Sequence, residues 1–232
     1  MGSLQKWGGV SALAIAASYV FGFALFIGVL DRTGYEGAGG ELAFVADNVH
    51  LLSTAIIALY PLAACALCVL TIALRVRLDE QPIERGWNDV AAVFGAIWAA
   101  LLFASGFVGI VGMHTVTELA QTTPEVAQST WSAVSIIQNA LGGGIELVGG
   151  VWMALVSAIA MRVGFTGKAL GFFGIAIGAI GIATVVPALS DLVDIFGLGQ
   201  IVWFAALGVA LMRSGPVVRI DRDAYGARSP AD

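Results

Sequence analysis

The sequence predicts an all-α integral membrane protein, a six-transmembrane-helix bundle with both termini cytoplasmic. Three observations predict it: how apolar the chain is, how its apolar residues are grouped, and where the basic residues fall between the groups. Of the 232 residues, 59% are hydrophobic and only 12% charged, with a mean hydropathy of +0.91. A soluble domain carries about 25% charged residues. A water-soluble fold of this length could not hide so much apolar surface. The net charge of -5 is spread over short loops and says little about partners.

The apolar residues gather in six runs, at residues 9–30, 50–74, 88–113, 131–161, 169–189 and 195–212. Each is near the roughly 20 residues that a helix needs to cross the hydrocarbon core. None alternates apolar with polar, which excludes a closed β-barrel. The first run is long enough to span, so it reads as a retained helix and not a cleaved signal. Of the 11 basic residues, Lys6, Arg75, Arg77, Arg85, Arg162, Lys168, Arg213, Arg219, Arg222 and Arg228 fall on one side of this topology. Arg32 alone falls on the other, so the basic side is cytoplasmic. Asp31, Glu36, Glu41, Asp47, Glu118, Glu125, Asp191 and Asp194 make an acidic outer rim. Trp7 and Trp87 are expected at the inner interface and Trp131 at the outer one.

The connecting segments have their own signals. The first outer loop is glycine-rich around Gly37 to Gly40. Pro124 suits the first turn of a helix, so a short interfacial helix is expected to start there. The link 163–167 is short enough to force the fourth and fifth helices to run antiparallel as neighbours. Residues 1–215 read as one six-helix domain, and 216–232, with Pro216, Pro230 and mixed charge, as a flexible cytoplasmic tail.

Glycine places the helix contacts. Gly171, Gly174, Gly178 and Gly181 lie on one face of the fifth helix. Asn139, Gly142, Glu146, Gly149, Gly150, Met153 and Ser157 form a stripe on the fourth. Ser105, Gly106, Gly109 and Gly112 add one on the third. Small residues let helix backbones approach closely in membranes. Helices three, four and five are therefore expected to form a tight core.

The stretch from Gly142 to Trp152, with Val186-Pro187-Ala188-Leu189-Ser190-Asp191 and residues 196–204, resembles a family of bacterial multi-span membrane proteins known only as a domain of unknown function. The similarity runs from the first helix to Arg213. It implies a six-helix protein of the bacterial inner membrane, and it brings no catalytic residues with it.

Glu146 is the central candidate. It is the only charged residue between Glu125 and Arg162, and five glycines flank it. An ionisable group at this depth is expensive and is by default a functional hypothesis. It reads either as a proton- or cation-binding carboxyl or as a neutral acid that joins two helices by a hydrogen bond. Positions 146 and 184 lie equally far from the cytoplasmic ends Arg162 and Lys168. Thr184 is therefore the expected hydrogen-bond partner of the carboxyl, with Ser105 or Tyr60 as second choice. Asn139 shares the stripe.

Two weaker constellations accompany it. His50 and His114 fall at the outer ends of the second and third helices, with Asp47 three residues before one and Glu118 four after the other. Together they suit zinc, and two facing histidines suit haem. The bland alternative is two polar residues at wet helix ends. Cys65 and Cys68 form C-x-x-C within the second helix, far from the helix start where a thiol is activated. They read as small core residues.

No Lys lies in a span, and neither a P-loop nor H-E-x-x-H occurs. Sparse cytoplasmic charge argues against nucleic acid. The expected function is non-enzymatic: binding or moving a small or apolar solute, or supporting a membrane assembly, without a cofactor, the lipid bilayer being the constant partner and a second copy a further one. The rival is a membrane redox protein holding haem or zinc at His50 and His114. Reporter fusions after Ala120 and after Arg222 are expected to read outside and inside; both on one side would sink the six-span topology.

Overall fold

The computed structural model describes residues 2–37, 39–79, 85–143 and 146–213. The expected cytoplasmic tail and Pro82 lie outside them. Every regular element among the described residues is helical: α1 Gly2–Gly28, α2 Gly40–Asp47, α3 Val49–Ile57, α4 Ala63–Leu78, α5 Arg85–Ala120, α6 Pro124–Gln138, α7 Leu147–Arg162, α8 Lys168–Ala183 and α9 Leu192–Arg213. A π-turn at Ala58–Leu62 joins α3 to α4, and a second at Asn139–Gly143 follows α6.

Among the described residues, five helical stretches are long and apolar enough to cross a membrane: Ser3–Gly28, Val49–Leu78, Gly86–Ala120, Pro124–Arg162 and Leu192–Arg213. The fifth apolar run falls short of the expected span. It forms α8, of 16 residues, and stops at Ala183. Pro187 is the cause: the residue before a proline is pushed to extended backbone, and Val186 adopts φ -84°, ψ 117°.

Six of the helices close a ring in the order α1, α4, α5, α7, α8, α9 and back to α1. Exposed Val20, Ile72, Val93, Ile97, Phe107, Phe172 and Val202 cover its outer surface. So wide an apolar belt is foreign to soluble monomers and suits lipid tails. Trp7 and Trp87, 63% and 53% exposed, sit at one edge of it. There Arg75 also pairs with Asp89, and the Asn88 amide donates to the Arg75 carbonyl at 2.8 Å, tying α4 to α5.

Aromatic rings fill the middle of the ring. Trp152 of α7 is fully buried, 5.5 Å from Trp98 of α5 and 5.7 Å from Trp203 of α9. Phe204 packs against all three. Such pairs add about 0.5–1.5 kcal/mol each beyond the area that they bury.

The glycine faces do what their spacing predicts, with one change of partner. Gly150 of α7 meets the backbone of α8: a Cβ there would stand 2.5 Å from the Gly178 oxygen. The far edge of the α8 stripe faces α9, where Gly174 leaves room for Trp203 and Gly181 for Phe196. The expected core of helices three, four and five is thus a strip of four, with α8 seated between α7 and α9 and α5 on the other flank of α7.

A second core forms at the opposite end from Trp7 and Trp87. With 36 residues α5 is about 54 Å long, more than a bilayer core needs. Its last turns pack against α2, α3 and α6 through Leu42, Phe44, Leu52, Met113, Val116 and Trp131. Trp131 is therefore a core residue, 8% exposed, and not the expected interfacial one. Cys65 and Cys68 are corrected the other way. Ala64, Leu67 and Thr71 take the inward face of α4, which leaves both thiols exposed on the outward one.

The Gly150 contact is backbone against backbone, so no side chain can yield. Gly150→Ala is expected to lower stability by about 1–3 kcal/mol through overpacking, read as a lower thermal midpoint in detergent. Gly28→Ala, with nothing within 4 Å of the new methyl, is expected to leave it unchanged.

Candidate functional site

Glu146 stands at a break and not within a helix. The fourth apolar run kinks at Gly142, whose φ of 129° only glycine adopts without strain. The chain re-enters helix at α7, and Glu146, at φ -97°, ψ 23°, is the residue that starts it. The stripe from Asn139 to Ser157 is therefore not one face. Asn139 is exposed, away from the site, while Glu146 turns inward.

A break inside an apolar bundle leaves main-chain groups in need of partners. Gly150 N–H donates to the Glu146 carbonyl at 2.8 Å. The Glu146 N–H donates to the Thr184 hydroxyl at 2.9 Å, and that hydroxyl donates to the Gly181 carbonyl at 2.7 Å. Thr184 is thus the expected neighbour of Glu146, but it serves the backbone and not the carboxyl. The end of α8 at Ala183 is what brings it there. Ser105 is committed too: its hydroxyl donates to the Gln138 carbonyl, which π-geometry frees at the end of α6.

The carboxyl is left facing a cavity of about 330 Å³. Its walls come from α1, the π-turn 58–62, α5, the helix break and α9. Tyr19, Tyr60, Gln200 and Asp194 supply its other polar groups, and Phe23, Phe26 and Phe196 much of the rest. The phenols of Tyr19 and Tyr60 lie near the Glu146 carboxyl. Tyr60 owes its position to Pro61, which cannot donate to the preceding turn and opens the helix there. Gly106 of α5 accepts the bulge: a Cβ on it would stand 2.7 Å from both Tyr60 and Pro61. Gln200, 1% exposed, has no partner for its Oε1.

Tyr60 and Glu146 are brought together as anticipated, and Ser105 lies beside Tyr60. Tyr19, Gln200 and Asp194 were missed. Their signal was faint: single polar residues in or beside apolar runs, at depths that no spacing rule joins. The triple glycine at 142–144 was read as packing, although runs of glycine also break helices.

The two histidines do meet. The rings of His50 and His114 lie 6.4 Å apart, near enough for one ion to reach both. The carboxylates do not join them. The Tyr35 phenol donates to Asp47 at 2.9 Å, and the Asp47 carboxylate holds that phenol above its ordinary range. Among the described residues no three of His, Cys, Asp and Glu are grouped as metal ligands, so Asp47 and Glu118 drop out of the expected set. The Ser53 hydroxyl and His114 Nε2 share a hydrogen bond of 3.3 Å. A macrocycle between the rings would have to part α3 from α5, which pack directly.

No family model, no curated protein and no solved structure matches this chain.

Thr184→Val removes the acceptor of the Glu146 N–H and is expected to cost about 1–3 kcal/mol. Thr184→Ser should restore it. Thermal midpoints, with amide exchange at residue 146, distinguish the two.

Proposed function

We propose that the protein is a solute-binding protein of the bacterial inner membrane. In this reading it has six spans and both termini in the cytoplasm, and it works without enzymatic chemistry. One observation carries the reading: the helix break that turns the Glu146 carboxyl into a cavity shared with Tyr19, Tyr60 and Gln200. Discontinuous helices with a polar group at the break are how many transporters build a solute site within the bilayer. Irregular backbone at membrane depth is tolerated where it lines a cavity. Here α7, of 16 residues, sets Glu146 about 24 Å from Arg162. That lies inside a core of about 30 Å, toward its outer side.

Two features support α8 as the sixth span despite its length. It lies between α7 and α9 and packs against both, and the basic residues then share one side. The aromatic plug of Trp98, Trp152, Trp203 and Phe204 closes the cytoplasmic half below the cavity. A solute therefore reaches Glu146 from the outer side in this conformation, and transport would require the plug to part.

Gly197 lines the cavity, and a side chain there would meet only the Phe23 ring, at 3.3 Å. Gly197→Leu narrows the space without disturbing backbone. Native mass spectrometry of the detergent-solubilised protein is expected to show a small-molecule adduct that Gly197→Leu loses. An adduct that survives the substitution, or none on the unaltered protein, would count against the reading.

A further inference from the structure

We infer that the Glu146 cavity recognises a lipophilic organic cation, an amine whose ammonium group lies between Glu146 and Gln200. The inference rests on the reading of the cavity as a solute site and adds the chemical class of the solute.

The polar groups of the cavity are mismatched in one direction. Glu146 and Asp194 are carboxyls, and no lining residue is Lys, Arg or His. The one unpartnered buried atom among the lining side chains is Gln200 Oε1, an acceptor. A buried acceptor favours a partner that brings N–H or O–H groups. A primary ammonium brings three. It could satisfy Glu146 and Gln200 together, and a charge-assisted bond to a carboxylate is the stronger kind.

The walls fit the rest of such a molecule. Tyr19, Phe23, Phe26, Tyr60 and Phe196 line the same cavity. Aromatic faces attract a cation within about 6 Å, more so where water is excluded. The volume of about 330 Å³ is at the small end of the roughly 300–1,000 Å³ usual for ligand sites, so the body is small. Of the lining residues, Phe26 of α1 is 44% exposed and Asp194 of α9 is exposed, which marks the mouth. Asp194 stands at that mouth and repels anions. A wholly apolar solute would leave Gln200 Oε1 and the carboxyl without donors.

Binding of four probes to the purified protein tests this: phenethylamine, benzyltrimethylammonium, 2-phenylethanol and phenylacetate. Phenethylamine is expected to bind tightest. The quaternary ion, which lacks donors, should be weaker, the alcohol weaker by roughly thirtyfold, and the anion undetectable. Glu146→Gln keeps the shape and the main-chain bond to Thr184. It should weaken phenethylamine by roughly thirtyfold and leave the alcohol unchanged. Gln200→Leu should weaken the amine alone. If the alcohol matches the amine, or Glu146→Gln binds the amine as well as the unaltered protein, the cation class falls and the solute site stands. If none of the four binds, both fall.

Discussion

The bond from the Glu146 N–H to the Thr184 hydroxyl is the interaction on which the rest of the site depends. A helix broken within an apolar bundle exposes main-chain groups that nothing in hydrocarbon can satisfy. Here one break is closed by the end of another helix. Because α8 stops at Ala183, its first non-helical residue offers a hydroxyl at the level where α7 begins. With the backbone satisfied by a neighbour, the Glu146 side chain is released from capping its own helix and faces the cavity instead.

That arrangement holds only if α7 and α8 lie very close. Gly150 and Gly178 let the two backbones touch, and the packing attraction of such an approach substitutes for the hydrophobic drive that lipid removes. The same glycine faces make room for large rings on the next helices. Gly174 admits Trp203, and Gly149 of α7 admits Trp98. Small residues on α7 and α8 and aromatic ones on α5 and α9 are therefore two halves of one packing solution. It closes one half of the ring and leaves the other half open.

The open half is bounded by three departures from α-helix: the π-turn at Pro61, the break at Gly142 and the end of α8. Each has a cause in a single residue type, proline or glycine. The first two present Tyr60 and Glu146 to the cavity, and the third brings Thr184 to the broken backbone. The second core beyond it, where His50 faces His114, braces the outer ends of α3 and α5 and holds the cavity walls from above.

The class of the molecule was legible in the sequence. Long apolar runs, few charges and small-residue stripes are local properties, and they dictate helices that pack closely in an apolar medium. That Glu146 stands apart was legible for the same reason, since it is one charge among some thirty apolar residues. The level of Thr184 followed from the short 163–167 link. What only the tertiary structure decided is which atom meets which. Periodicity assumes an unbroken helix, so it placed Asn139 beside Glu146 and gave Thr184 to the carboxyl. The φ of Gly142 rotates everything before it out of that register. Likewise Tyr19 on α1 and Gln200 on α9 lie far from Glu146 in sequence. They share its cavity only because α9 returns to close the ring against α1, a contact between the two ends of the bundle that no local pattern encodes.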